Sequence, residues 1–244
     1  MLESRSPLIE PYSQLAAAWH EHGTVFLPRY GRYAERLVTW GAVRRGLALD
    51  LACGTGITAA ALAPVFERVY AVDRNEHMLR QARNRQSHAN IEYIAADFRS
   101  FELPSAVDLA VCSGDSLNYV QAISELRDVF ECVVRALCPG GLFLFDVQAE
   151  RSFLSSNGYI ARYVTDEADW FQVHQYDPES RVDDSCAITE HGVEPHRRLF
   201  LSSEDVHEAA LRAGLTPAVR FDTPMLRFLA APGGRDFYAF RRPS

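Results

Sequence analysis

The chain has 244 residues, which suits one large domain or one domain with a modest insertion. Its 48% hydrophobic and 23% charged residues argue against a disordered chain. No apolar run approaches the roughly 18 residues of a transmembrane helix, and a net charge of −7 argues against a nucleic-acid partner, which needs a basic excess to meet phosphates.

The polar stretch Met1 to Glu10 has no apolar core of the signal-peptide kind, so a cytoplasmic protein is expected. Five cysteines, an odd number with no C-x-x-C spacing, predict free thiols rather than a disulfide framework or a metal site. The 25 basic residues are all arginine, which excludes lysine Schiff-base chemistry.

In chain order, residues 10 to 45 read as helical. Tyr12, Leu15, Ala16 and Trp19 recur at helical spacing, and a second helix is expected over Tyr30 to Val43. The pattern then changes. Leu47 to Leu51 reads as a strand, Thr58 to Phe66 as a helix, and Val69 to Asp73 as a second strand. Asn75 is placed to cap a helix over Glu76 to Gln86.

Further strands are expected at Ile91 to Ala95, Val107 to Cys112 and Leu142 to Val147, with a helix over Ser124 to Leu137. Strands alternating with helices predict an α/β fold with a doubly wound, mainly parallel sheet. After residue 150 the rhythm breaks. Tyr159 to Val164, Trp170 to Tyr176, Ser185 to Glu190 and Arg197 to Leu201 read as short strands of an antiparallel insertion, with no helix between them. A helix over Glu204 to Ala213 and strands over Thr216 to Phe221 and Phe237 to Arg241 close the chain. The expected division is a helical cap over 1–44, a nucleotide-binding domain over 45–150 and 202–244, and an insertion or lid over 151–201.

The stretch that carries chemistry is Asp50-Leu-Ala-Cys-Gly-Thr-Gly56, which follows a strand and opens a helix. Gly54 and Gly56 allow a tight turn whose amides face a ligand. Asp73 ends the next strand, where an acid can accept hydrogen bonds from both ribose hydroxyls of an adenosine. Asp97 can take an adenine amino proton, and Phe98 can flank the ring. A carboxylate at Asp50, at the mouth of the turn, would repel a pyrophosphate but suits a ligand with an ammonium and a sulfonium.

These residues, with the Leu137-Cys-Pro-Gly-Gly141 turn, resemble the class I S-adenosylmethionine-dependent methyltransferases over roughly residues 45 to 150 and the closing strands. Cys112 to Tyr119 looks like the corresponding stretch of bacterial small-molecule enzymes with a strand-rich insertion, some of which act on amino sugars or natural-product intermediates. The resemblance implies a Rossmann-like, seven-stranded sheet and S-adenosyl-L-methionine as cofactor. It would place Asp50, Ala52, Gly54 and Gly56 at the methionine and ribose part, and Asp73 at the ribose. Arg74, Asp97 and Phe98 would lie near the adenine, and Met78 would be a further cofactor contact. Cys112 and Ser113 would close over the methionine, and Tyr12 or Trp19 would cover the cofactor. The family usually has glycine where Ala52 stands.

A small-molecule acceptor with a nitrogen or oxygen nucleophile needs alignment and a place for its proton. Candidate bases are His174, His191 and His196 of the insertion, His20 and His22 near the N-terminus, and Tyr119. Asp115, Asn118 and Tyr119 follow the fourth strand, at the edge where such folds bind ligands, and are candidate acceptor contacts. The aromatic residues of the insertion would line an acceptor pocket, fill a sheet core or join two copies as a homodimer. Two other readings stay open. One is a nicotinamide-dependent oxidoreductase, opposed by Asp50 and by the missing third glycine of the dinucleotide fingerprint. The other is a non-catalytic S-adenosylmethionine-binding protein.

Overall fold

The computed structural model describes residues 10–24, 27–218 and 234–244. Helices α1 (Ala16–Gly23) and α2 (Arg29–Thr39) lead into a run of β1 (Leu47–Leu51), α3 (Ile57–Leu62), β2 (Arg68–Asp73), α4 (Glu76–Arg85) and β3 (Ile91–Ala95). Then come β4 (Val107–Cys112), a 3-10 turn (Ser116–Tyr119), α5 (Ile123–Ala136) and β5 (Leu137–Gln148). After α6 (Glu150–Ser156) follow β6 (Ile160–Val164), β7 (Asp169–Val173), β8 (Tyr176–Asp177), β9 (Val182–Thr189) and β10 (Gly192–Leu199). The chain closes with α7 (Ser203–Arg212), β11 (Thr216–Pro217) and β12 (Arg235–Arg241).

A seven-stranded sheet has the order β11-β12-β5-β4-β1-β2-β3. Its first five strands in sequence run parallel, while β12 is antiparallel to β5 and to β11. This is the Rossmann-like α/β architecture the strand–helix alternation predicts. Strands β1 and β4 are buried almost throughout, as central strands covered on both faces must be. One apolar cluster on the sheet is capped by α5 and α7 through Phe130, Val133, Val206 and Ala210. The other is capped by α2 and α3 through Tyr33, Leu37, Ala59 and Leu62.

A second, antiparallel sheet has the order β10-β9-β7-β6, with β8 paired to β9. It occupies the stretch read as a strand-rich insertion. No described helix is long and apolar enough to cross a membrane.

The elements depart from the sequence reading at several points. Residues 10–15 precede the first helix as an irregular stretch. Helix α2 ends at Thr39 and α3 at Leu62, both short of the expected ends. Strand β5 starts at Leu137 rather than Leu142, because a bulge pairs Leu137 with Val107 before Leu142 pairs with Leu109. Helix α6 lies where no helix was expected: Phe153 is its one buried side chain, so it carries no apolar period. The expected strand over Thr216 to Phe221 is seen as Thr216–Pro217, and residues 219–221 lie outside those described.

Candidate functional site

The strand order reverses between β1 and β4, and loops leaving these strands diverge there to open a crevice. A cavity of about 520 Å³ occupies that place. Its floor is formed by Ala52 to Thr55 after β1, Asp73 and Arg74 after β2, Ala96 and Phe98 after β3, and Ser113 and Gly114 after β4. Tyr12, Trp19 and Leu27 roof it from the N-terminal side, and Tyr119, Gln121, Pro195 and Arg197 form the far wall.

The floor is made largely of main chain. Ala52, Gly54 and Gly56 all have left-handed backbone, with φ of 55°, 53° and 77°. A methyl added at Gly54 would lie 4.0 Å from Met78 Cε, so conformation rather than space demands glycine there. At Gly56 it would lie 2.6 Å from the Tyr93 hydroxyl, so space forbids it too. Ala52 takes the same conformation with a side chain, a strained state of the kind that gathers at functional sites. This explains why glycine suits the position in the family the sequence resembles.

The Asp73 carboxylate is held from both sides, accepting from Gly54 N and Asn75 N at 2.8 Å each. Burial pushes its pKa up, against the pull of those amides. Asn75 caps α4 by accepting from His77 N and Met78 N, and donates its amide to Pro11 O at 2.7 Å. Buried Met78 lies below the turn.

Asp50 sits elsewhere than at the mouth. It is fully buried in β1, in register with Ala71 and Val111, and does not line the cavity. Among the described residues no donor meets either carboxylate oxygen with full hydrogen-bond geometry, and burial pushes its pKa well up against a weak pull from the Ala59 amide.

The far wall is made of side chains. Tyr12, itself left-handed at φ 64°, hydrogen-bonds Tyr119 hydroxyl to hydroxyl at 2.7 Å. The Tyr119 oxygen lies 2.9 Å from His196 Nδ1, and His196 Nε2 lies 3.0 Å from Glu194 Oε1. Glu194 is fully buried and also accepts from Tyr12 N at 2.6 Å and Gln14 N at 2.8 Å. Burial pushes both phenols above their ordinary range.

Behind this wall lies a buried ionic group that joins the two sheets. Arg198 of β10 reaches Asp183 at 2.7 Å, Asp115 at 3.4 Å and Gln148 at 2.8 Å. Arg235 of β12 meets Asp115 at 2.7 Å and Asp146 at 2.6 Å. Asp146 also accepts from the Tyr30 hydroxyl and from the amides of Gly114 and Asp115.

Of the residues singled out from sequence, Tyr12, Trp19, Ala52, Gly54 and Asp73 line the cavity, as do Arg74, Met78, Phe98, Ser113 and Tyr119. Gly56 and Cys112 stand behind it as a helix cap and as buried core. Asp97 does not line it. Arg99 grips its carboxylate at 2.8 and 2.7 Å and holds its pKa down. Asp115 is committed to the two arginines, and Asn118 donates to Leu199 O and accepts from Gln148 N.

Of the candidate bases, His196 joins the tyrosine chain. His174 faces Asp183 and Arg198. His191 is exposed on the β9–β10 turn beside Glu190. His20 bonds the Thr55 hydroxyl at 3.1 Å, and burial lowers its pKa. The His22 side chain lies outside the described set. Sequence reading passed over Glu194 and Arg99. Glu194 stands two residues before His196, which on a strand puts both on one face, and that spacing was the available signal.

The mainly parallel sheet with an antiparallel strand beside β5 is a Rossmann-like α/β arrangement. Residues 48–141 match the family model described as methyltransferase domain. The cypemycin N-terminal methyltransferase of a Streptomyces species is 32% identical over 133 residues, 53% of this chain and 54% of that protein. The chain spans about half the length of the first curated relatives it matches.

Among solved structures, an S-adenosylmethionine-dependent methyltransferase from Clostridium acetobutylicum is similar with a TM-score of 0.77 at 19% identity. That match covers 93% of this chain and 100% of the other. A sugar N-methyltransferase from a Streptoalloteichus species is similar with a TM-score of 0.74 at 20% identity, covering 100% of this chain and 99% of the other. At these identities the likeness shows the fold.

Proposed function

We propose that the protein is an S-adenosyl-L-methionine-dependent methyltransferase that methylates a nitrogen or oxygen of a small molecule, such as an amino-sugar or natural-product intermediate. One observation carries the cofactor assignment: the Asp73 carboxylate is fixed by two amides at the edge of a largely apolar cavity. Each of its oxygens keeps a lone pair for a ribose hydroxyl. Phe98 and Met78 supply apolar surface for an adenine, with Arg74 at the edge. Ala52, Gly54 and Ser113 line the space for the methionine part. The aromatic faces of Tyr12 and Trp19 suit a cationic sulfur. Bound there, the cofactor supplies a methyl group already activated for displacement.

The protein's task is to align the acceptor, exclude water and receive a proton. Tyr119 and His196 are assigned to the last task. Their neighbourhood with Gln121 and Arg197 is the acceptor side. The names of the structurally similar sugar enzyme and of the cypemycin enzyme support a small acceptor.

The same proposal includes the division into a cap over 1–44, a cofactor domain over 45–150 and 202–244, and a lid over 151–201. It also includes a cytoplasmic setting, in keeping with five free cysteines. Contact between two copies through the second sheet rests on the exposed row Phe171, Ile188 and Val193, which lie side by side across β7, β9 and β10.

Calorimetric titration with S-adenosylmethionine, S-adenosylhomocysteine and reduced nicotinamide nucleotide tests the cofactor. Binding of the first two and not the third is expected. Failure of both adenosyl ligands to bind the folded protein would end the proposal.

A further inference from the structure

We infer that Glu194 is a positioning residue that fixes the tautomer of His196, and through it the direction of every hydrogen bond from His196 to the cavity. The inference rests on the methyltransferase reading for its purpose, but its geometry stands apart from any ligand.

Three donors converge on the Glu194 carboxylate: Tyr12 N, Gln14 N and His196 Nε2. A carboxylate offers only lone pairs, so Nε2 must carry the imidazole proton. Nδ1 is then a bare acceptor and takes the Tyr119 O–H. With its one proton spent, Tyr119 must accept from Tyr12. Tyr12 has then spent its own proton, and the free lone pairs of its oxygen belong to the cavity it lines.

A second observation agrees. Tyr12 is a bulky residue held at φ 64°, a conformation that persists only where surrounding contacts impose it. The two amides that flank this bend, at Tyr12 and Gln14, are the ones Glu194 holds. One carboxylate thus bends the chain that presents the phenol and orients the imidazole at the far end of the relay. The other charges near the tyrosines are Arg198 and Asp115, already engaged with each other.

The relay drains a proton from the cavity. The acceptor's N–H or O–H bond breaks, its bonding pair stays on the nitrogen or oxygen, and the proton joins the Tyr12 oxygen. The Tyr12 proton passes to Tyr119, and the Tyr119 proton passes to His196 Nδ1. The result is an imidazolium beside the Glu194 carboxylate, with no net loss or gain of protons. The device serves an acceptor that brings its proton into the site, a hydroxyl or an ammonium, and is idle for a carbon nucleophile.

The test needs no acceptor. The nitrogen NMR spectrum of histidine-labelled protein reports which ring nitrogen bears the proton, and the contacts of His196 with the Tyr12 and Tyr119 rings identify its signals. The expected result is an Nε2–H tautomer in the native protein. In Glu194→Gln, whose amide can donate to Nε2, the proton shifts to Nδ1. In Tyr119→Phe the tautomer stays and only the Nδ1 signal moves. An Nδ1–H tautomer in the native protein, or an unchanged tautomer in folded Glu194→Gln, overturns the inference. The native spectrum alone carries half of the test, so a variant that fails to fold does not shield it. Calorimetry with S-adenosylhomocysteine on the same sample separates the two failures: no binding strikes the proposed function, whereas a wrong tautomer strikes only the role of Glu194.

Discussion

The floor and the far wall of the cavity are built by opposite means. The floor draws on one stretch, residues 52 to 78 with two short loops, and presents main-chain turns that hold a single carboxylate. The far wall is assembled from side chains 107 and 77 residues apart, whose positions depend on a buried acid and a buried ionic group. A turn is written locally and is stiff by itself. A side-chain chain is stiff only while its most buried members keep their partners.

Breaking the far wall's support should have the largest effect. Arg198 is 12% exposed and neutralises Asp183 and Asp115, which are 0% and 8% exposed. Arg198→Leu leaves buried acids short of their partner, and urea unfolding should show a loss of about 3–5 kcal/mol. Breaking the floor is milder for stability and severe for binding. Asp73→Ala removes the acceptor for both ribose hydroxyls, and calorimetry should show S-adenosylhomocysteine affinity falling about 100-fold or more.

Asp50 gives the floor a pH signature. Its folded pKa is raised by burial, so the folded state holds the proton more tightly than the unfolded chain does. That contribution is complete below about pH 4 and is lost as pH rises above it, by up to about 1.4 kcal/mol per unit. Asp50→Asn has no such dependence. Thermal unfolding of the two proteins should therefore show the native protein losing ground to the variant between pH 4 and pH 7.

Tyr119→Phe sharpens the contrast. It cuts the far wall without touching the floor, so S-adenosylhomocysteine affinity should change less than about threefold while stability falls by about 1 kcal/mol. The smallest effect is expected at Ala52, where glycine relieves the left-handed strain at a smaller entropic cost. Ala52→Gly should gain about 0.5–1 kcal/mol in denaturant unfolding with cofactor binding retained.

The same contrast decides what the sequence discloses. Strands β1 to β4, the glycine turn, Asp73 and the Asn75 cap are legible because each rests on neighbours in the chain. Local pattern places Asp50 near the turn but cannot say that its carboxylate is sealed inside the sheet rather than open to a ligand. His196 is visible as a histidine on a strand, but nothing within ten residues tells of Tyr119 or Tyr12. Residues 10–15 read as helical because Tyr12, Leu15 and Trp19 have the right spacing. The helix is forestalled there by Glu194 holding the Tyr12 and Gln14 amides, a contact no local pattern can announce. Helix α6 escaped for the plainer reason that it is short and buries one side chain.

The short stretch before α1 is moored at two places: to the α4 cap through the Pro11 carbonyl, and to β10 through the Tyr12 and Gln14 amides. It is a strut between two sheets rather than a tail. Shortening the chain to begin at Leu15, as one might when tidying an expression plasmid, would strip Glu194 of two donors and take Tyr12 out of the roof. Such a shortened protein would have its binding chamber standing open on that side.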